Sequence, residues 1–352
     1  MKISLYVLGG FFMVATLLPL IRHDHWVIRD FDFPHVQITI INLLILLSLL
    51  IFFPVLGWFN ILFIVALVGC LIYQGFIIYP YTPLAQTMVQ KTERQAGKNA
   101  ISLMVTNVLM YNRNAEGCLE RVWEENPDLL LMVETDEWWC VQMAPVREKY
   151  PNFIEYPLEN TYGMLLYSKL PLENYDIKFL VKPQIPSFHG KVVLRSGKRI
   201  NLHCIHPEPP SPTESETSTE RDAELLIVGK NIVNSDEPTL VAGDLNDVAW
   251  SYTTRLFIKI SGLLDPRMGR GFFSTFHAKY PLMRWPLDHV FISQHFKLVE
   301  LKRLSSYGSD HLPIFVKVNY EDDAKKEQEK PKADQEEKEL ANEKIEEIRE
   351  EQ

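Results

Sequence analysis

Cysteine is scarce: the chain has four in 352 residues. Cys70, Cys118, Cys140 and Cys204 show no metal-type spacing and no evident pairing, so neither a disulfide scaffold nor a thiolate zinc site has support. No HExxH occurs, which removes the peptidase-type zinc reading. GxSxG, GxGxxG and a GxxxxGK followed by Ser or Thr are also missing, which removes the commonest serine-hydrolase and nucleotide-binding readings. A basic surplus is lacking too, since 36 Lys+Arg face 45 Asp+Glu for a net charge of −9. That balance argues against a nucleic-acid packaging protein. The longest absence is local. From Val36 to Gln90, 55 residues carry no Asp, Glu, Lys or Arg.

Charge divides the chain into three parts. Residues 1–84 hold three basic and three acidic residues, and residues 321–352 hold 14 acidic and 7 basic. The remainder nets only −2. The uncharged stretch exceeds the roughly 20 residues of one membrane-crossing helix. It breaks at Pro54–Asn60, where Pro, Gly and Asn favour a turn and Trp58 suits a headgroup interface. With the apolar run that precedes Arg22, the expectation is an anchor over 1–84 with spans at 3–21, 36–55 and 59–79. A cleaved signal peptide explains the first run less well, because its core is too long and lacks a small-x-small site. A buried helical hairpin of a soluble protein is the remaining alternative. Lys2 on one side faces Arg22, Arg29, Lys91, Arg94 and Lys98 on the other, which favours a cytoplasmic main domain by a margin small enough to leave the side open.

After a linker over 85–100, residues 101–320 read as one α+β domain with strand-like runs at ISLMVTN, DLLLMVE, GMLLYSK, KVVLR, RINLHCIH, TLVAGD, LDHVFIS and IFVKV. Helical stretches are expected near 115–126, 139–150 and 219–234. The apolar runs end in Asn107, Glu134, His206, Asp244 with Asn246, and Asp310 with His311, while Asp288 and His289 interrupt another. One carboxylate at a strand end is ordinarily a turn or cap. Six such sites of Asn, Asp, Glu and His have the chemistry of a hard divalent cation with imidazoles to move protons. Mg²⁺, with Mn²⁺ as substitute, suits phosphoryl chemistry, because it leaves coordination positions to water and phosphate. Residues 321–352 read as a solvated single helix or disorder. The Pro207–Arg221 loop reads as a flexible connection or a lid.

In order, VTNVLMYN, PDLLLMVET, YGMLLYSKLPL, HCIHPEPP, VAGDLND, PLDHVFIS and GSDHLPI resemble the endonuclease/exonuclease/phosphatase family over about residues 100–320. GDLN followed by LDH and SDHLP is the specific part. The resemblance implies a four-layered α/β sandwich, two mixed sheets flanked by helices, with its site at one end of the sheets. It implies metal roles for Glu134, Asn107 and Asp310. His311 would contact the scissile phosphate and Asp288 would hold that histidine. Asp244 and Asn246 would activate water and bind a phosphate oxygen, and His206 would assist at the phosphate or leaving group. Thr275 is a secondary substrate-binding candidate, His203 and His289 are expected to point away, and Trp138 and Trp139 are as well explained by packing as by substrate.

Together with the spans, the resemblance is to the bacterial membrane-bound branch. It implies a multi-pass cell-membrane protein whose partners are the bilayer and a phosphate ester. The reading is a Mg²⁺-dependent phosphoesterase acting on a mono- or diester, lipid-linked by the argument of the anchor. A membrane-tethered nuclease, disfavoured by the −2, and an inactive binding module are the alternatives. No protein partner is evident.

Overall fold

The computed structural model of the chain describes residues 2–53, 57–233 and 235–351. Three helices, α1 (Lys2–Leu17), α2 (His35–Phe52) and α3 (Trp58–Ile78), fill the N-terminal part. Each belongs to a segment long and apolar enough to cross a membrane. Of the expected turn at Pro54–Asn60, Pro54–Leu56 lie outside the described residues, and Gly57 enters α3 with φ +87°. The helices pack through Ile45, Leu49 and Leu67. Asn42 and Gln74 both donate to the buried Thr16 Oγ1, at 3.2 and 3.1 Å.

Two mixed sheets follow. The first comprises β1 (Ala100–Asn107), β2 (Leu129–Val133), β3 (Asn152–Tyr156), β4 (Met164–Ser168), β10 (Phe296–Arg303) and β11 (Ile314–Tyr320), in the order β10-β11-β1-β2-β4-β3. The second comprises β5 (Leu172–Lys178), β6 (Ser187–Val193), β7 (Arg199–Cys204), β8 (Thr239–Asp244) and β9 (Asp288–Ile292), paired in that sequence. Among the described strand pairs, β1 with β2 and β7 with β8 run parallel and the rest antiparallel.

Side-chain alternation along each strand builds the layers. Leu103, Val105, Leu129 and Leu131 face Leu202, Cys204, Leu240 and Ala242 in the core between the sheets. Met104, Leu130 and Met132 turn outward onto α4 (Ala115–Glu125) and α5 (Glu137–Gln142), through Val122 and Trp139. Val241 and Phe291 turn outward onto α6 (Thr219–Val233) and α7 (Tyr252–Ser261), through Leu225, Val228 and Phe257. The result is helix, sheet, sheet, helix, the expected α+β sandwich.

Apolar runs do not disclose β3, β5 and β10, and all three are edge strands. An edge strand carries charge on its exposed face, as LENYDIK and FKLVELKR do, so its pattern is diluted. The segment expected as a linker is pinned beside β10: Gln90 O accepts from Leu298 N at 2.8 Å and Thr92 N donates to Leu298 O at 2.9 Å.

The acidic tail departs from expectation. Its helix α8 (Gln335–Glu351) is docked rather than solvated. Ala341 and Ile345 pack on Leu226, Leu256 and Ile260. Lys344 Nζ reaches Asp24 at 2.7 Å and Asp222 at 3.1 Å. The Pro207–Arg221 loop is likewise held, for Trp26 N donates to Glu216 O at 3.0 Å and Ser218 N donates to Asp24 O at 2.8 Å. Both segments therefore close around the loop between α1 and α2.

Candidate active site

The C-terminal ends of β1, β2, β7 and β8 converge with the start of β9 and the Ser309–His311 turn. Gly243, at φ +152°, brings the end of β8 against β7, where a Cβ would meet Ile205 O at 1.8 Å. Asp244 then lies opposite Asp288 in the β8–β9 pairing. Glu134 (φ +58°) and Asn246 (φ +50°) both have left-handed backbones. For Glu134 that conformation costs on the order of 1–3 kcal/mol, and such strain gathers where side chains are aimed for function.

Asp244, Asp288 and His311 form a buried group whose ligand atoms lie within 4.8 Å of one another. His311 Nδ1 meets Asp288 Oδ2 at 2.8 Å and its Nε2 meets Asp244 Oδ2 at 3.5 Å. Burial alone would lower this imidazole's pKa. Asp288 and then Asp244 overcome that and raise it to about 10, so the ring is an imidazolium at neutral pH. Asp244 itself is shifted up, by burial first. Glu134 is pushed up to about 7, by burial and then, against hydrogen bonding from Asn107 and attraction to His311, by Asp244 and Asp310.

Asn107 Nδ2 donates to Glu134 Oε1 at 2.6 Å and to Asp244 Oδ2 at 3.0 Å, while its Oδ1 accepts from Leu109 N at 2.9 Å. The amide thus presents its NH₂ to the carboxylates, and its oxygen is engaged elsewhere. Asn107 bridges the acidic residues here, which differs from the ligand role expected of it. Asn246 N donates to Asp244 Oδ1 at 3.0 Å, and its Nδ2 donates to Pro207 O at 3.0 Å. His206 is buried beside the Tyr162 ring, with Nδ1 unpartnered, and burial lowers it to about 4, which leaves it neutral. Asp310, at the turn, is close enough to Glu134 and His311 to shift both.

Thr275 departs from the substrate-binding expectation. It is fully buried, and its Oγ1 accepts from Leu287 N and Asp288 N at 3.3 and 3.2 Å, so it positions β9 from behind. His289 points away as expected and joins Arg267 to Asp247 O. His203 pairs with His189 at 2.7 Å on the other face of β7. Trp139 is core, and Trp138 stacks under Arg113.

Several contributors were given no role by the motifs. Ser309 Oγ donates to Asn107 O at 2.8 Å and accepts from His311 N at 3.0 Å, and the Phe276 ring lies 4.9 Å from the His311 ring. The buried Arg221 donates to Asn246 O at 2.8 Å. Ser309 stands inside the SDHLP block and Phe276 directly after Thr275, whereas Arg221, at the end of the Pro207–Arg221 loop, carries no local signal.

The donor set fits a hard divalent cation. Asp288 Oδ1 is buried without a partner, and Glu134 and Asp244 are acids whose charge the neighbouring protein does not fully offset. Glu134 and Asp310 offer the carboxylates that would hold such an ion.

A sandwich of this kind, with an Asp–His–Asp group beside further buried acids at its sheet ends, has the equipment of a phosphoric ester hydrolase. The chain belongs to the Endonuclease/Exonuclease/phosphatase family, whose model matches residues 104–311. Members of that family are metal-dependent phosphoric ester hydrolases. No curated protein matches it in sequence.

Among solved structures it is similar to a humanized TDP2 of D. rerio, at 17% identity and TM-score 0.51, over 63% of this chain and 99% of that one. The human Nocturnin catalytic domain matches at 16% and 0.51, over 68% and 97%. A family protein from Bacteroides thetaiotaomicron matches at 12% and 0.51, over 64% and 96%. These likenesses concern the fold.

Proposed function

We propose that this chain is a multi-pass membrane protein that hydrolyses a lipid-linked phosphate mono- or diester with Mg²⁺. The observation that carries the reading is the seating of the catalytic loop on the base of the helices. Trp250 Nε1, four residues after Asn246, donates to Asp32 O at 2.8 Å, and Tyr81 OH, just beyond α3, donates to Ala249 O at 2.5 Å. With the three helices in a bilayer, this seating would keep the site close to the headgroups.

A divalent cation bound by Glu134 and Asp310 would supply Lewis-acid neutralisation of phosphate charge. The remaining work falls to side chains. The His311 imidazolium donates from Nε2 to a phosphate oxygen, while Asp288 fixes its Nδ1 proton. Asp244 takes a proton from the attacking water, and Asn246 keeps the Asp244 carboxylate oriented through its backbone N–H. Neutral His206 completes the wall.

The test uses the full chain in nanodiscs, with vesicle phosphatidic acid, polyprenyl phosphate, bis(p-nitrophenyl) phosphate and supercoiled DNA as substrates. Mg²⁺-dependent, EDTA-sensitive turnover of a lipid phosphate is expected, and His311→Ala or Asp244→Asn should lower it by about 10²-fold or more. Turnover confined to DNA would replace this reading with a nuclease, and no turnover of any substrate with an inert binding module.

A further inference from the structure

A cleft of about 650 Å³ opens between the first turns of α2 and the Phe272–Arg284 loop, in the size range of small-molecule sites. Val36, Ile40, Ile41 and Phe272 give it an apolar lining, and Arg284 and Arg303 line it as well. Arg284 Nε donates to His277 O at 3.1 Å, and its NH₂ group donates to Ala278 O. Arg303 donates to Ser274 O at 2.9 Å. Among the described residues neither guanidinium meets a carboxylate within the 4.0 Å of an ion pair. Two like charges are therefore held in one cleft with N–H groups to spare, an arrangement that a bidentate phosphate would complete.

Position adds to chemistry. Six positions take His35 to Ile41, roughly 9 Å along a helix axis, comparable to the roughly 5–10 Å to which apolar faces enter the headgroup and acyl boundary. The loop tip is apolar and exposed, with Leu282 at 86%, and Gln37 Nε2 ties it to α2 through Leu282 O at 2.9 Å. The cleft also adjoins the catalytic group. Ser274 lines it, Thr275 holds Asp288 N, and Phe276 packs on His311.

We propose that this cleft binds a lipid with a phosphate headgroup, its chain against Val36, Ile40 and Phe272 and its phosphate on Arg284 and Arg303. The inference rests on the lipid-linked reading above and adds where, and by which residues, such a lipid is held before its phosphate reaches His311.

The probe is diazirine-tailed phosphatidic acid in phosphatidylcholine nanodiscs that hold the full chain, with cross-linked peptides mapped after irradiation. Labels are expected on residues 36–41 and 272–284. Arg284→Gln with Arg303→Gln should reduce them about tenfold, since two charge-assisted contacts are lost. Arg284 also braces its loop, so Arg303→Gln alone and Ile40→Trp, which fills the cleft, decide the matter if the double variant does not fold. Each should cut labelling severalfold.

Equal labelling by diazirine-tailed phosphatidylcholine would overturn headgroup selection. Full displacement by millimolar inorganic phosphate would reduce the cleft to a plain anion site, and variants that label within twofold of wild type would remove these residues. Cross-linking needs no turnover, so the two readings fail separately. Labelled cleft without lipid hydrolysis overturns the proposed function alone, and lipid hydrolysis without a labelled cleft overturns the site alone.

Discussion

Replacing Asp288 by Asn changes the charge state of His311 more than its position. The His311 ring is buried, and its proton is retained because Asp288 lies 2.8 Å from Nδ1 and Asp244 3.5 Å from Nε2. Together they raise its pKa to about 10 against the lowering effect of burial. Asn keeps the shape of the nearer partner and removes its charge. If His311 returns only to the ordinary value of about 6.5, its protonated fraction at pH 8 falls from nearly all to about 3%, a loss of roughly thirtyfold.

The assay is hydrolysis of bis(p-nitrophenyl) phosphate by full-length protein at saturating Mg²⁺ from pH 5.5 to 9. The metal is common to both enzymes, so the difference between the profiles belongs to Asp288. Asp288→Asn should gain activity relative to wild type by about sixteenfold in all from pH 8 to 6.5, most of it between pH 8 and 7. Stability supplies a second reading on metal-free protein. A raised histidine pKa contributes stability that is complete below about 6.5 and is lost as pH rises through about 10, and the variant should lack this decline. Equal ratios at every pH would refute the charge-state argument and leave Asp288 a role in geometry alone.

Arg221→Met removes the buried cation that faces Asp222 at 2.9 Å and Asp247 at 3.6 Å. Chemical denaturation should show a loss of about 3–5 kcal/mol, as expected for breaking a buried ion pair. Glu224 is buried with Oε1 unpartnered, and burial pushes it up to about 8. Its folded pKa lies above its unfolded one, so stability is greatest below about 4.5 and falls as pH rises to 8, by about 4 kcal/mol. Glu224→Gln should erase that slope, raising the unfolding midpoint at pH 8 and leaving it unchanged at pH 4.5. Glu134→Gln relieves a crowded acid, and should raise the midpoint of metal-free protein at pH 8 while abolishing both turnover and the stabilisation that added Mg²⁺ gives wild type.

The buried strands were legible because both of their faces are covered. A run such as LLLMV needs no alternation, and the polar residue that ends it stands out. Edge strands and α7 lacked that contrast. The placing of Asp244, Asp288 and His311 in one group followed from motif order, but the bridging orientation of Asn107 did not, because it depends on the Leu109 N–H. The tail misled for a related reason. Ala341, Ile345 and Ile348 make a narrow stripe among glutamates, and the partner of Lys344 is Asp24, 320 residues away. Composition reports the charge of such a helix and is silent about what neutralises it.

The seating of the Arg22–Phe33 loop against Trp250, Glu216 and Asp222 has a consequence for how substrate is found. Arg29 reaches Asp24 at 2.7 Å and Asp222 at 3.8 Å, and Arg29 and Asp222 are both buried. A catalytic domain on a flexible leash would sweep a hemisphere and meet solutes from any direction. This one is bolted to its base, so its mouth keeps one height and one bearing. For the lipid-linked substrate proposed above, arrival would be by lateral diffusion along the leaflet, and the encounter rate would scale with surface density in the membrane and not with concentration in the surrounding water.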